Sequence, residues 1–519
     1  MTEPIEQMRT SGLEGKPPRT YPFHWTRLLA HGRVLILASF VVGAAVVLAD
    51  RPFGHTESGD CSIFDYIAQS IVRGQVPYRD VIDLKGPGSA YLSAAAMTSG
   101  RRLGIRDIIA VRWLHVLMMG LLSATTFLVA QAYFENRFAA VLAFLIPLIS
   151  SGLSSQVNRG TQPKLSMVLF GMISLLLLAR DRPFWAGVFS MLACLCWQPG
   201  LMFTGVALLI SSRYLKSWRD LRTVKVILGA AAPLAIVVLY FTWEGALSDL
   251  WAWTVVFPAT VFAPETAMPL GKTLTNFREV LSRELQPLSI VALLALAGLV
   301  GYITLRVRRR IKSEEGVRSD DLFKDAVAFP AAIYLIFCMI NFQSSPDLVP
   351  FYPFIGLFAG WLIVEAASLM MRSRPKLARA ITMAAIILAA TLIILEHAPR
   401  GPRDASLQDQ DREAQILAGY LGPDDNIYVH GMGEVLVLLN RPNLNKYLAL
   451  NSGADNFIAA KKPGGFQDVI DEIEAHRPKI VVMTRLRNVR HREEINQWLD
   501  EHYEKLGFEN LKGVYLRVR

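Results

Sequence analysis

Long apolar runs, separated by short connectors rich in arginine and lysine, dominate the chain up to about residue 397. A run of ~20 apolar residues is what crosses a bilayer upright. Backbone immersed in lipid must satisfy its own hydrogen bonds, which helices and closed barrels alone can do. The runs fall near 34–50, 108–133, 138–153, 164–180, 183–197, 199–212, 224–242, 286–305, 326–342, 348–370 and 377–396. They predict a mainly α, polytopic membrane protein with about eleven transmembrane helices. Some runs are short for a crossing, so one hairpin stays open to a re-entrant reading. With 52% hydrophobic and 19% charged residues, the chain is poorer in charge than the quarter or so of a soluble domain.

A formal charge of +10 raises the question of nucleic acid. The position of the cations excludes it, because they gather beside hydrophobic ends, where they orient a membrane protein. The cationic connectors hold Arg9 to Arg33, Arg137, Arg180 and Arg182, Arg213 to Lys225, Arg306 to Lys312, and Arg372 to Arg379. All fall on one side if eleven spans alternate. That side is then cytoplasmic, as is the N-terminus, in a multi-pass protein of the cytoplasmic (inner) membrane. An odd count of spans exports the C-terminal domain to the periplasmic or extracellular face. The expected organisation is a tail at 1–33, a transmembrane unit at 34–397 with a first exported loop at 51–107, and an exported soluble α/β domain at 398–519. No cleavable leader is expected, since the first apolar run starts after Arg33. Of the four cysteines, Cys194, Cys196 and Cys338 lie in apolar runs and Cys61 in a polar loop, with no disulfide or metal spacing.

In the first loop, residues 62–73 set Ile63, Ile67 and Ile71 on one helical stripe and Asp65, Gln69 and Arg73 on another. That pattern predicts a juxtamembrane helix lying along the membrane surface. Residues 87–100 are apolar, but at roughly 20 Å of helix they are too short to span. In the C-terminal region, 426–430, 479–483 and 513–519 read as strands, and 410–421, 465–476 and 491–504 as helices. Trp243, Trp251 and Trp253 read as interfacial anchors, with a lid over a lipid-linked substrate as the alternative.

The chemistry gathers in one stretch. Gly59-Asp60-Cys61 is followed by Gly74-Gln75-Val76-Pro77-Tyr78-Arg79-Asp80-Val81-Ile82-Asp83-Leu84-Lys85-Gly86-Pro87. Asp60, Asp80, Asp83, Arg79 and Lys85 thus share a loop at the lipid boundary. Partly desolvated charges are costly unless paired or used, which singles out Asp60 and Lys85. Arg159 and Lys164 read first as snorkelling side chains, Gln198 as a turn residue, and His430 as structural.

This stretch resembles the first loop of polyprenyl-phosphate-dependent glycosyltransferases of the C-type membrane fold. It is most similar to bacterial relatives of protein O-mannosyltransferases and of the aminoarabinose transferases that modify lipid A. Arg112 opens the second span where such proteins often carry an arginine. Phe351-Tyr352-Pro353 is similar to the start of one of their late spans, with its histidine missing. Two departures stand out: Asp60-Cys61 replaces Asp-Glu, and Thr161-Gln162 replaces Thr-Glu. A multi-acid metal site is weakened accordingly, and no cofactor is required.

The resemblance implies an inverting transfer of a sugar from a polyprenyl-phosphate donor to a lipid, glycan or protein acceptor. It implies Asp60 as the base that takes the acceptor proton. It implies Lys85, helped by Arg79 or Arg112, as the cation on the donor phosphate. Asp80, Asp83, Tyr78 and Tyr352 are left to bind sugar or to brace Lys85. The rival readings are a transporter or lipid flippase, which predicts ionisable residues at mid-bilayer and broken helices in matched halves, and a non-catalytic scaffold.

Overall fold

The computed structural model of the protein describes residues 25–212, 221–284, 289–312, 324–398 and 405–518. Most of the expected N-terminal tail lies outside these, as do parts of the cationic connectors near 213–220 and 313–323. The described chain opens with α1 (Trp25–Ala49), so the first helix is under way well before residue 34. Two loop helices follow, α2 (Gly59–Val72) and α3 (Gly88–Arg102). Then come α4 (Asp107–Phe134), α5 (Arg137–Leu148), α6 (Ser151–Val157), α7 (Pro163–Ala179), α8 (Pro183–Cys196), α9 (Leu201–Ser212) and α10 (Arg222–Trp243). A winding segment passes through α11 (Leu247–Trp251), two π-turns and α12 (Ala263–Thr266) to α13 (Leu270–Glu284). The apolar region closes with α14 (Ser289–Lys312), α15 (Ala328–Ile340), α16 (Tyr352–Met370) and α17 (Pro375–Glu396).

Each predicted apolar run is helical, but the count of spans is not settled at eleven. Six helices are long and apolar enough to cross a membrane; α5 and α6, broken by a 67° bend, make a seventh if they form one span. That bend follows Pro147, and the pair is either one broken span or a re-entrant hairpin. The other four, including α7 and α8, are shorter apolar helices. The bundle centres on α4, whose apolar window is 72% buried, while α1 and α17 are only 22% buried and sit outermost. Their exposed side chains, among them Leu37, Ile387 and Ile394, are apolar. That is the surface lipid covers.

Helices in lipid associate by close backbone approach more than by the hydrophobic effect. A Cβ on Gly229 would sit 1.9 Å from the Phe184 carbonyl oxygen, and one on Gly356 2.0 Å from that of Ala143. Glycine is therefore what lets α10 meet α8, and α16 meet α5. Arg306, expected as an orienting charge, is buried and paired with Asp325 at 3.0 Å.

The C-terminal region folds as read, with additions. It forms a four-stranded sheet of β1 (Ile427–His430), β2 (Ile480–Met483), β3 (Tyr503–Lys505) and β4 (Val514–Arg517), in the order β1-β2-β4-β3. The β1–β2 pair is parallel, while β4 runs antiparallel to both its neighbours. The main helices are α18 (Leu407–Ala418), α19 (Glu434–Leu439), α21 (Gln467–Ala475) and α22 (Arg492–His502), with a short α20 (Ala454–Ala459) between.

The isoleucine stripe of α2 has a different partner from the one expected. Ile67 is fully buried, and with Ile63 and Ile71 it packs against Val435, Leu436 and Val437 of α19, not against lipid. Asp65 and Gln69, on the polar stripe, are buried too. Both faces of α2 are covered: α19 packs on the isoleucine stripe, while Asp65 bonds Thr161 and Gln69 bonds Asp107 and the Val437 carbonyl. Trp253 is likewise buried against Phe457, whereas Trp243 and Trp251 stay exposed as anchors would. Ile67→Asp would bury an unpaired carboxylate at several kcal/mol. It is expected to loosen the C-terminal domain, seen as early tryptic release of that fragment with the membrane-bound remainder intact.

Candidate active site on the first loop

The loop between α2 and α3 is built to hold one backbone segment still. Gly74 turns the chain out of α2 at φ 88°. The Asp80 carboxylate accepts from the Val76 N–H at 2.8 Å and takes the Arg79 guanidinium in two bonds. Arg79 also donates to the Glu244 carbonyl at 2.7 Å. Tyr78 is fully buried at φ 71°, a left-handed conformation that costs a non-glycine residue about 1 kcal/mol or more. What that strain secures is a hydrogen bond from the Tyr78 hydroxyl to the Lys85 carbonyl at 2.8 Å. The Asp83 carboxylate accepts from the Lys85 N–H at 2.9 Å. Gln198 donates to the Leu84 carbonyl at 3.0 Å, so its role extends beyond making a turn. A Cβ on Gly86 would lie 2.1 Å from the Leu195 carbonyl oxygen, so the loop is pressed onto the end of α8. Burial pushes the Asp83 carboxyl up to about 7.

Thus clamped, Lys85 points its ammonium at the ring of Trp197, 5.3 Å from the centroid. Lys164, from the first turn of α7, approaches the same ring at 4.7 Å and pairs with Asp347 at 2.5 Å. Among the described residues no carboxylate reaches ion-pair distance of Lys85. Burial first, and then the charge of Lys164, push its pKa down to about 8, against the pull of Asp347, Asp60 and Asp83. Asp60, in the first turn of α2, meets Arg485 of the C-terminal domain at 2.5 Å. Burial works to raise the Asp60 pKa, but Arg485, Lys85 and Lys164 outweigh it and hold the carboxyl below its usual range.

The structure therefore brings Asp60 and Lys85 into one electrostatic neighbourhood, with Tyr78 and Asp83 on the Lys85 backbone and Arg79 paired with Asp80. Two other candidates are engaged elsewhere. Tyr352 is buried, with its hydroxyl 3.0 Å from Ser150 Oγ. Arg112, expected at the donor phosphate, is fully enclosed. It donates to the carbonyls of Pro52 at 2.9 Å and His55 at 2.7 Å, and meets Glu57 at 3.3 Å. It ties the segment after α1 to α4. Beside it, Asp65 accepts from the Thr161 N–H at 3.0 Å and from its hydroxyl. Burial raises the pKa of both acids, Glu57 well above its ordinary value and Asp65 to about 6.

Lys164 reads in the sequence as a snorkelling residue, though Pro163 beside it marks a helix start that fixes its position. Asp347 and Arg485 carry no local signal, since folding alone brings them in, from 183 and 425 residues away along the chain. Among the described residues, no three His, Cys, Asp or Glu side chains gather as metal ligands would. Arg112→Ala is expected to lower stability by about 3 kcal/mol or more, because it orphans a buried acid and several carbonyls. Arg112→Lys should recover only part of that, lacking the guanidinium fork. Thermal unfolding in detergent checks both.

No family model and no curated protein sequence matches the chain. Solved structures do. ArnT from Cupriavidus metallidurans bound to undecaprenyl phosphate matches with a TM-score of 0.60 at 12% identity, over 94% of this chain and 98% of that one. The archaeal oligosaccharyltransferase AglB from Archaeoglobus fulgidus, in complex with an inhibitory peptide and a dolichol-phosphate, matches with a TM-score of 0.52 at 13% identity, over 87% of this chain and 69% of that one. The chain has the C-type membrane glycosyltransferase fold that its first loop resembles.

Proposed function

We propose that the protein is an integral membrane glycosyltransferase that moves a sugar from a polyprenyl-phosphate donor to a hydroxyl of a lipid, glycan or protein acceptor. The observation that carries this is the Trp197 cluster. Two lysines converge on one ring, and the Lys85 ammonium has no carboxylate at ion-pair distance among the described residues. A half-buried cation at this level of a membrane protein is costly, and an anionic headgroup offsets that cost. The fold adds weight, since neighbours of the same architecture bind undecaprenyl phosphate and dolichol-phosphate. Nothing among those neighbours favours the transporter or flippase alternative.

In this reading the bond from the anomeric carbon to the phosphate oxygen breaks, and the departing lipid phosphate gains charge. Lys85 neutralises that charge, with Lys164 beside it, which is worth on the order of 3 kcal/mol. The acceptor hydroxyl attacks the opposite face of the sugar, so the anomeric configuration inverts. Asp60 receives the proton. Its low pKa makes it a weak base towards a free alcohol. It suffices late in the reaction, when the attacking oxygen is already bonded to carbon and acidic. The sugar remains open, hexose or pentose. We assign the reaction to the outer face of a cytoplasmic membrane, with the N-terminus inside and the C-terminal domain outside, on the strength of the cationic connectors.

Lys85→Ala is expected to weaken binding of undecaprenyl phosphate itself at least tenfold, read by native mass spectrometry, and to lower kcat/KM by about 10²–10³. Asp60→Asn should leave that binding intact and cost about 10²–10⁴ in turnover. Full turnover by the Asn variant would remove Asp60 from its role. The pH dependence follows from Lys85. It is charged below about 8 and neutral above, so donor capture should fall as pH rises through about 8. A kcat/KM profile flat from pH 7 to 9.5 would contradict this.

A further inference from the structure

The parallel strands β1 and β2 end side by side, and the loops that leave them are locked together. The Thr484 N–H donates to the His430 carbonyl at 2.9 Å, and its hydroxyl accepts from the Met432 N–H at 2.8 Å. Gly431, at φ 105°, leaves no space between them, since a Cβ there would lie 2.3 Å from Thr484 Oγ1. The first of these loops is seated on α2. The Gly433 N–H donates to Ser62 Oγ at 3.0 Å, and that hydroxyl donates to Glu434 at 3.3 Å. A Cβ on Gly433 would come within 2.6 Å of the Ser62 carbonyl oxygen. The C-terminal domain is therefore registered against the first turn of α2, where Asp60 stands.

Arg485 follows directly, in a left-handed conformation at φ 59° and ψ 25°. Its guanidinium reaches Asp60 Oδ1 at 2.5 Å. The pair is partly exposed, with side-chain accessibilities of 31% and 55%. An exposed ion pair adds little to stability, and left-handed backbone at a non-glycine residue costs at least as much. Stability does not account for the contact. We propose that Arg485 is a positioning residue of the active site: the C-terminal domain reaches over the first loop and fixes the Asp60 carboxylate, ionised and oriented, for proton transfer. This rests on the role proposed above for Asp60.

The charges around Asp60 come from three segments. Arg485 lies in the loop after β2, Lys85 in the first loop and Lys164 at the start of α7, while the Cys61 thiol, next in the chain, is kept neutral by burial. Arg485 is in turn faced by His430, which burial and Arg485 push down to about 4, and by Glu434. With His430 neutral above that pH, Arg485 is the cation that touches Asp60 directly. Removing it raises the Asp60 pKa, so more of the carboxyl is protonated at mildly acidic pH.

The test is the pH profile of kcat/KM for wild type, Arg485→Gln and Arg485→Lys. The probes are undecaprenyl-phosphate mannose and undecaprenyl-phosphate aminoarabinose, with envelope extract as acceptor. Arg485→Gln is expected to move the acid limb upward, with a loss of about tenfold at the acid end that shrinks as pH rises. Arg485→Lys should hold the limb near its original position. In an Asp60→Asn background, Arg485→Gln should have no further effect. Variants are compared at equal monodisperse yield on gel filtration, and Arg485→Lys keeps the test open if Arg485→Gln folds poorly. An active wild type whose acid limb does not move in Arg485→Gln overturns the proposal and leaves Asp60 as the base. A wild type that transfers neither sugar, while Lys85-dependent binding of undecaprenyl phosphate persists, overturns the proposed reaction and this inference with it.

Discussion

A lysine ammonium held half-buried beside a second lysine is unfavourable on its own account, and much of the first loop exists to keep Lys85 there. Burial and the Lys164 charge both favour losing its proton. A flexible side chain on a free loop would escape to water. Here the backbone cannot follow, because Tyr78, Asp83 and Gln198 each take one of its polar groups and Gly86 is pressed against Leu195. The left-handed Tyr78 stores strain for the same end. Trp197 then gives both ammonium groups a ring face.

The same residues explain which parts of the protein were legible in the sequence. Helices in lipid follow from local hydropathy, so each apolar run appears as a helix. Their number as crossings does not follow, because α7 and α8 gain their burial from neighbours and not from length. Asp60 and Lys85 stand out in the sequence because their stretch is dense in charge; the supports of Lys85 lie in the same loop, whereas Arg485, the partner of Asp60, does not. Tyr78 and Asp83 act on Lys85 over a few residues, and their proximity is fixed by the chain itself. Lys164, Asp347 and Arg485 belong to other segments, and no spacing rule reaches across a fold.

Two misreadings share one cause. The isoleucine stripe of α2 suggested a membrane surface, and Arg112 suggested a phosphate. Periodicity shows that a face is buried and not what buries it, and here the C-terminal domain does so. An arginine at the head of a span announces a need for many donors. Loop carbonyls and a buried Glu57 satisfy that need as well as a phosphate does. In both cases the sequence identified a strong interaction, and only the structure supplied its partner.

The departures from the pattern that the first loop resembles then gain a physical sense. Where that pattern has a second acid, this chain has Cys61 and Gln162. Burial holds the Cys61 thiol well above its ordinary pKa, so it contributes no charge. Gln162 is buried at the head of α7, its backbone N–H donating to His115 Nε2 at 3.0 Å and its side-chain oxygen accepting from the Lys164 N–H. Asp60 is thereby left without a second acid beside it in the chain, facing Arg485, Lys85 and Lys164, while Asp347 pairs with Lys164. A divalent cation is drawn to several oxygens of negative charge, and here three cations face Asp60. In the proposed reaction Lys85 and Lys164 are the cations that meet the departing phosphate, while Arg485, 425 residues beyond Asp60 along the chain, holds that carboxylate.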